Sequence, residues 1–271
     1  MQSENLKINK KMIKYAVFLG FSIFFVTILS CLPAANVLRI IKAKSPHLFS
    51  QVEIYQVTGS IWHFAGKAYI VPATISLPPS MRLFDFDFNW HISPLFLGKL
   101  EGVVKIKNQK ALSLDIPFSA SKRSVSVQNS NGQLSLEWLS KLNAEFSLSA
   151  PGNIDVKSVS FLFDVDKNIF SLVEGDLFWG GGKVLLPAQA IKPEIQMPPL
   201  RGKFNILSDG GLVLTVTGQS DHDVFGLIKS IKEKRVRVGL TNRLLKLLGQ
   251  EIEDAKLNQM FFEIEQRLLC C

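Results

Sequence analysis

The chain has 271 residues, of which 47% are hydrophobic and 20% are charged, and its formal net charge at pH 7 is +8. This length suits one sizeable domain or two small ones beside a short membrane or linker segment. Its three cysteines, Cys31, Cys270 and Cys271, are too few and too badly placed for a disulfide framework.

The positive charge is not gathered into a nucleic-acid-binding patch. Several basic residues lie in Lys229–Arg237, and many others are scattered singly along the chain. Seven more flank one uncharged segment: Lys7, Lys10, Lys11, Lys14, Arg39, Lys42 and Lys44. A basic chain with an apolar anchor more often meets acidic lipid headgroups than nucleic acid. We therefore expect membrane lipid, and no nucleic acid, among the partners.

The uncharged segment, residues 15–38, predicts a transmembrane signal anchor. Its 24 residues would form a helix of about 36 Å, enough to cross a hydrocarbon layer of about 30 Å. The lysines before it favour a cytoplasmic position for residues 1–14. Residues 39–50 then form a linker, and residues 51–271 lie on the far side of the membrane.

Two other interpretations of this segment compete with the uncleaved anchor. A cleaved secretory signal needs small residues at an A-x-A-like site, whereas residues 32–36 read Leu-Pro-Ala-Ala-Asn. The run Ile28-Leu29-Ser30-Cys31 resembles a bacterial lipobox, in which Cys31 would be lipidated. The uncleaved anchor fits the length of the apolar run better than either alternative.

After the linker the hydrophobic period changes to two. In residues 83–90 the aromatic side chains Phe84, Phe86, Phe88 and Trp90 alternate with polar ones, which is typical of a half-buried strand. Similar alternation recurs in residues 103–107, 111–116, 124–127, 134–137, 144–148, 156–165, 204–207 and 212–217. Turn residues separate these runs, and Gly210-Gly211 predicts a hairpin turn. The pattern therefore predicts an antiparallel β-rich domain.

A few short helices are expected near the C-terminus. Apolar residues in 223–233 recur at helix spacing, and residues 241–248 have an N-cap candidate in Thr241 and a stop in Gly249. Alternation returns in residues 262–266, which predicts a closing strand. The fold class is thus all-β or β-rich α+β, with a curved antiparallel sheet.

The sequence contains no recognisable catalytic, cofactor-binding or metal-binding motif. The four histidines lie far apart, and in 221–223 the two aspartates beside His222 more naturally cap a helix than bind a metal. Asp85 and Asp87 share the predicted wet face of a strand, where a hydrolase would need a cleft and shifted pKa values. We expect no enzyme, cofactor or metal.

The excess of aromatic residues, 20 Phe and 4 Trp, has two interpretations. The first is the filled core of an ordinary sandwich. The second is a sheet curled into a groove whose apolar face receives lipid acyl chains or an unfolded segment. The sequence does not separate them.

Several motifs resemble the N component of the bacterial type II secretion system. Residues 57–68 carry a glycine–tryptophan element, residues 88–100 carry a tryptophan followed by leucines and Gly-Lys-Leu, and residues 175–182 carry a second glycine–tryptophan element. The residues that carry these motifs, which we expect to be structural, are Gly59, Trp62, Gly66, Trp90, Gly98, Gly175 and Trp179. Residues 244–249 resemble the family's short helix before its last strand.

The resemblance implies a single-pass protein of the bacterial inner membrane with its C-terminal domain in the periplasm. It implies a non-enzymatic component that aids export of folded proteins across the outer membrane, with other subunits of the type II secretion system as partners. The sequence is also distantly similar to AsmA-type envelope proteins, which implies an alternative function: binding or transferring lipid in an apolar β groove.

Overall fold

The computed structural model describes residues 10–50, 52–71, 78–91, 93–142, 150–167, 169–185, 194–207, 211–218, 220, 222–231 and 235–267. Its helices are α1 (Lys10–Cys31), α2 (Ala34–Lys44), α3 (Pro79–Arg82), α4 (Leu136–Leu142) and α5 (Asn242–Leu247). Short 3-10 turns occupy Pro46–Phe49, Ser93–Leu97 and Asp254–Lys256.

The strands are β1 (Val52–Ser60), β2 (His63–Ile70), β3 (Leu83–His91), β4 (Lys99–Asn108), β5 (Leu112–Ser121), β6 (Ser124–Ser135), β7 (Asn153–Asp164), β8 (Ile169–Trp179), β9 (Gly182–Leu185), β10 (Glu194–Met197), β11 (Leu200–Ile206), β12 (Leu212–Thr217), β13 (Val224–Ile231), β14 (Arg235–Thr241) and β15 (Met260–Arg267).

Thirteen of these strands form one antiparallel sheet in which neighbours in space are neighbours in sequence. The order runs from β1 to β8 and continues from β11 to β15, while β9 and β10 form a separate hairpin inserted after β8. The prediction of a β-rich fold with a large antiparallel sheet and few short helices is confirmed. The hairpin between β11 and β12 is confirmed as well, although Gly210 itself lies outside the described residues.

The sheet has one apolar and one polar face because the pairing register keeps like residues opposite each other. Phe86 pairs with Gly66 on β2 and with Ile106 on β4, whereas its neighbour Asp87 pairs with Ala65 and Lys105. Since residues directly opposite each other share a face, the alternation of β3 extends across the sheet. We call the two sides the apolar face and the polar face.

The two ends of the sheet differ in how they are covered. At one end lie α3, α4, the β9–β10 hairpin and α5, together with both buried hydrophobic clusters of the described residues. We call this the capped end. At the opposite end, the turn end, the strands are joined by residues 61–62, 93–98, 122–123 and 165–168. Antiparallel connections alternate between the ends, which is why these four turns lie together.

Both clusters at the capped end are organised by a tryptophan. Trp138 of α4 packs against Met81, Phe84 and Ala111, and its Nε1 donates a hydrogen bond of 3.1 Å to the Met81 carbonyl oxygen. Trp179 packs against Val184, Ile195 and Met197 of the inserted hairpin, with leucines of α5 around it. The capping elements are therefore held by burial of apolar side chains rather than by sheet pairing.

The N-terminal segment differs from the single helix expected over residues 15–38. Helix α1 ends at Cys31, and α2 begins at Ala34 after an extended Pro33. Proline lacks the N–H of a helix interior and disfavours a helical residue before it, which explains the break. Residues 39–50 are not an irregular linker, since they comprise the rest of α2 and a 3-10 turn. Among the helices of the described part of the chain, none combines the length and hydropathy of a membrane-crossing helix.

The helix predicted over residues 223–233 is wrong, because Val224–Ile231 is strand β13. Its consecutive apolar residues fit both periods, and pairing with β12 on one side and β14 on the other decides for the strand. The strand predicted over residues 134–137 is also wrong in part, because α4 begins at Leu136. The run 144–148 lies outside the described residues.

The other C-terminal predictions are confirmed. Helix α5 follows Thr241, and Gly249 ends this segment in a left-handed conformation with φ of 90°. The Thr241 hydroxyl does not cap the helix, however. It donates to the Val224 carbonyl oxygen at 2.6 Å and is fully buried. The closing strand is β15.

Candidate functional site: the motif residues and the turn end

The first motif forms a tryptophan corner at the turn end. The Trp62 and Trp90 rings lie with centroids 5.0 Å apart. The backbone N–H of Trp90 donates to the Trp62 carbonyl oxygen at 3.0 Å, and the Trp90 indole N–H donates to the Ile61 carbonyl oxygen. These bonds join the β1–β2 turn to the end of β3, so the corner fixes the position of three strands.

The same corner holds the junction between α1 and α2. The backbone N–H of Ile61 donates to the Leu32 carbonyl oxygen at 2.9 Å, and Pro33 forms an isolated bridge with Ser60. Ala34 is 2% exposed. The N-terminal helices are therefore attached to the sheet at its turn end.

Two motif glycines permit close packing beside the corner. A Cβ on Gly59, whose φ is 98°, would lie 2.3 Å from the His63 carbonyl oxygen. A Cβ on Gly66 would lie 2.8 Å from the Phe86 ring. Since real Cβ atoms do not approach other heavy atoms this closely, only glycine fits without a shift of the backbone or of the ring.

Gly98 shapes the turn between β3 and β4. Its φ is 69°, and its N–H donates to the Leu95 carbonyl oxygen at 2.9 Å. The left-handed conformation ends the 3-10 turn Ser93–Leu97 and directs the chain into β4. As a result, Leu97 is held at the turn end with 79% of its surface exposed.

The second glycine–tryptophan motif lies apart from the first. Gly175 and Trp179 belong to β8, which is separated from β4 by three strands. Gly175 has φ of 130°, and a Cβ there would lie 2.6 Å from the Val159 Cα. The Trp179 indole N–H donates to the Pro151 carbonyl oxygen at 3.1 Å. The seven motif residues therefore form two structural groups rather than one site.

The polar face over β1 to β4 carries an open depression of about 750 Å³. Charged residues of both signs line it, among them Lys67, Asp85, Asp87 and Lys105. Asp87 pairs with His63 at 3.2 Å, and these two side chains are 43% and 63% exposed. A wet, charge-balanced surface of this kind does not create the low dielectric that shifts catalytic groups. The expectation of a solvated face for Asp85 and Asp87 agrees with this geometry.

The acidic residues around His222 do not form a site in the described residues. Asp223 pairs with Arg243 at 2.9 Å, and the His222 carbonyl oxygen accepts a hydrogen bond of 3.0 Å from the Asn258 side-chain amide. Asp221 lies outside the described residues. Across the described ranges, no group of three or more His, Cys, Asp or Glu side chains could hold a metal ion.

Comparison with known proteins decides the family. Residues 50–239 match the family described as type II secretion system (T2SS), protein N. The chain belongs to this family. The matched span begins just before β1 and ends within β14, so it contains all seven motif residues of this T2SS protein N family member. No curated protein and no solved structure matches the chain.

Sequence reasoning missed the two residues that hold the capped end of this T2SS protein N family member together. Trp138 stood only at the end of an alternating run, and Thr241 was expected to cap α5. The isolated tryptophan beside a helix-compatible run, Leu136–Leu142, was the available signal for the first. Nothing in the sequence indicates the hydrogen bonds of Thr241, because their acceptors lie on another strand.

Proposed function

We propose that this chain is a non-enzymatic inner-membrane component of the type II secretion system that aids export of folded proteins across the outer membrane. The observation that carries the proposal is the family match over residues 50–239, which covers nearly the whole sheet. The chain would act by contact, using sheet edges and the apolar face to recognise other secretion subunits. Confinement near the membrane would raise the effective concentration of these partners.

Placement at the inner membrane, with the sheet in the periplasm, is supported by α1. Its apolar side chains face outward, as Phe18, Phe21 and Phe24 show with exposures of 72%, 67% and 61%. Aromatic side chains this exposed on a helix are favoured in lipid and unfavourable in water. The basic residues before the helix favour a cytoplasmic N-terminus. Under this proposal, α1 is the anchor and Pro33 marks the point where the chain leaves it.

Deletion of the gene tests the secretion proposal. The secreted proteome of the deletion strain should lose the substrates of the type II system, and expression of the intact chain should restore them. Proteins exported by other systems serve as the internal control. Unchanged export of type II substrates in the deletion strain would overturn the proposal.

A second candidate function, lipid binding on the apolar face, is favoured by one observation. Phe64, Phe86, Phe88 and Val104 on this face are half-buried. They contact rings on neighbouring strands, for example Phe64 with Phe88 at 4.9 Å. Both buried clusters of the described residues lie at the capped end instead. An apolar sheet face needs a cover, and acyl chains would supply one.

Neighbouring valines of β4 offer a matched test of lipid binding. Val104 lies on the apolar face opposite Phe88, whereas Val103 lies on the polar face opposite Asn89. Native mass spectrometry of the full chain should show bound phospholipid for the wild type and Val103→Asp, and its loss for Val104→Asp. Copurifying secretion subunits without phospholipid would instead favour the scaffold function alone.

A further inference from the structure

The turn end presents an apolar and basic surface that the family motif itself builds. Leu97 and Leu95 of the 3-10 turn are 79% and 39% exposed, and Val165 of the β7–β8 turn is 44% exposed. Exposed basic residues accompany them: Lys99, Lys122, Arg123 and Lys167. We call these seven residues the turn-end surface.

Charge at the turn end is less balanced than at the capped end. Arg123 pairs with Asp166 at 3.9 Å and Lys167 with Asp164 at 3.7 Å, whereas Lys99 and Lys122 form no ion pair with any of the described residues. At the capped end, five basic residues are each paired with an acid: Lys141–Glu137, Lys183–Glu194, Arg243–Asp223, Lys246–Asp254 and Lys256–Glu253. The turn-end surface therefore keeps a positive excess that suits an anionic partner.

The attachment of α1 decides which anionic partner the surface meets. The Leu32 carbonyl oxygen accepts a hydrogen bond from Ile61, next to Trp62 of the tryptophan corner. Any membrane that receives α1 must therefore lie against the turn end rather than the capped end. Exposed leucines flanked by lysines are the side chains that a headgroup layer accommodates, apolar parts inward and charges at the phosphates.

We propose that the turn-end surface rests on an anionic lipid bilayer, with Leu95 and Leu97 inserted at headgroup level. This inference rests on the proposed membrane attachment of α1. Gly98 then has a functional consequence beyond the turn itself, because its left-handed conformation is what projects Leu97. The apolar face of the sheet would consequently have its uncapped end at the bilayer.

The test uses the full chain in lipid nanodiscs and measures backbone hydrogen exchange in the turns. Wild-type protein in discs containing phosphatidylglycerol is compared with a Leu95→Ser/Leu97→Ser variant. Exchange is measured in residues 120–126, whose sequence is identical in both proteins. We expect exchange there to be about tenfold faster in the variant, since its insertion is lost. The leucines are exposed, so their replacement leaves both buried clusters intact.

Two controls separate membrane contact from general effects. Leu185→Ser replaces a leucine that is 49% exposed at the capped end, and its exchange in residues 120–126 should equal that of the wild type. Discs of phosphatidylcholine alone should raise wild-type exchange about fivefold for each basic residue that loses an anionic contact. Equal exchange in both lipids would overturn the electrostatic part of the inference.

The outcomes distinguish this inference from the proposed anchoring. Protein that enters nanodiscs but shows the same turn exchange in wild type and double variant would overturn the turn-end contact and leave the anchor standing. Protein that does not enter nanodiscs or float with vesicles would overturn both. Protection that a copurifying secretion subunit supplies in detergent, before any lipid is added, would assign the surface to that subunit and overturn the lipid inference.

Discussion

Glycines at single positions determine how closely the strands of this sheet can approach each other. Gly59 and Gly175 both have positive φ, and at each a Cβ would lie within 2.6 Å of backbone atoms. Both lie beside β-bulges, which tighten the local twist of a strand. Their place in the family motifs therefore follows from backbone sterics, with no need for a ligand.

Replacing Gly59 tests this steric argument. Gly59→Ala forces a Cβ toward the His63 carbonyl oxygen and an unfavourable φ, so the melting temperature of the purified chain should fall by about 5 °C or more. Gly180→Ala is the matched control, because no atom lies within 4 Å of a Cβ at that position. Scanning fluorimetry on tryptophan emission measures both. Equal melting temperatures would show that the β1–β2 turn relaxes around the added methyl group.

Trp179 and its neighbour Phe178 offer a second test at the residue scale. Trp179 is 8% exposed within the cluster that holds the β9–β10 hairpin and α5, whereas Phe178 is 40% exposed on the opposite face. Trp179→Ala should cost about 3–5 kcal/mol of unfolding free energy, and Phe178→Ala about 1 kcal/mol or less. Urea unfolding followed by circular dichroism measures both. Similar losses for the two variants would contradict the assignment of faces.

At the scale of elements, β15 shows how an edge strand is held. Its polar face carries Glu263 and Glu265, which meet Arg235 and Arg237 of β14. Alternating charges along an edge discourage pairing with further strands while strengthening the pairing that exists. Strand β15 therefore depends on ion pairs more than the central strands do.

The pH dependence of this edge can be predicted from Glu265. Hydrogen bonds from Arg237, together with its positive charge, lower the pKa of the Glu265 carboxyl below the ordinary value of 4.5. A lowered pKa in the folded state means that the pair stabilises the fold above about pH 4.5. That contribution is lost as the pH falls through the folded-state pKa.

The expected measurement is a difference in melting temperature between wild type and Glu265→Gln. It should be small but present at pH 7, because the pair is exposed to solvent, and it should vanish as the pH falls below about 4. Glu251→Gln, in the exposed loop before β15, is the control and should show no such dependence. A difference that grows in acid would reverse the assigned sign.

At the scale of the whole molecule, a sheet of thirteen consecutive strands has unusual demands. Twisted open sheets rarely exceed about ten strands without curling or splitting. Here the caps lie at one end and the N-terminal helices attach at the other. The ends of the sheet are therefore chemically distinct, which is what a body oriented on a membrane requires.

Cell fractionation tests that orientation. The intact chain should stay with the inner membrane after carbonate extraction, and protease added to spheroplasts should degrade the sheet while leaving a short α1 fragment. A chain beginning after Pro33 should leave the membrane fraction. Recovery of the intact chain in the soluble fraction would contradict the anchor.

Much of the sheet was legible in the sequence because alternation is a local property. The run from Leu83 to Trp90 and the run from Leu212 to Thr217 correspond to β3 and β12 almost residue for residue. The motif glycines were recognisable too, since a residue without a Cβ is required wherever the backbone turns left-handed. The family assignment followed from the order of these motifs.

Only the tertiary structure decided what non-local contacts control. Val224–Ile231 became a strand because β12 and β14 offered hydrogen-bonding partners on both sides, information that its own residues do not contain. The hydroxyl of Thr241 bonds to strand β13 instead of capping α5, and the seven motif residues separate into two groups, for the same reason. Local periodicity determines which face of a strand is apolar, but pairing across the chain determines which strands meet and where the sheet is capped.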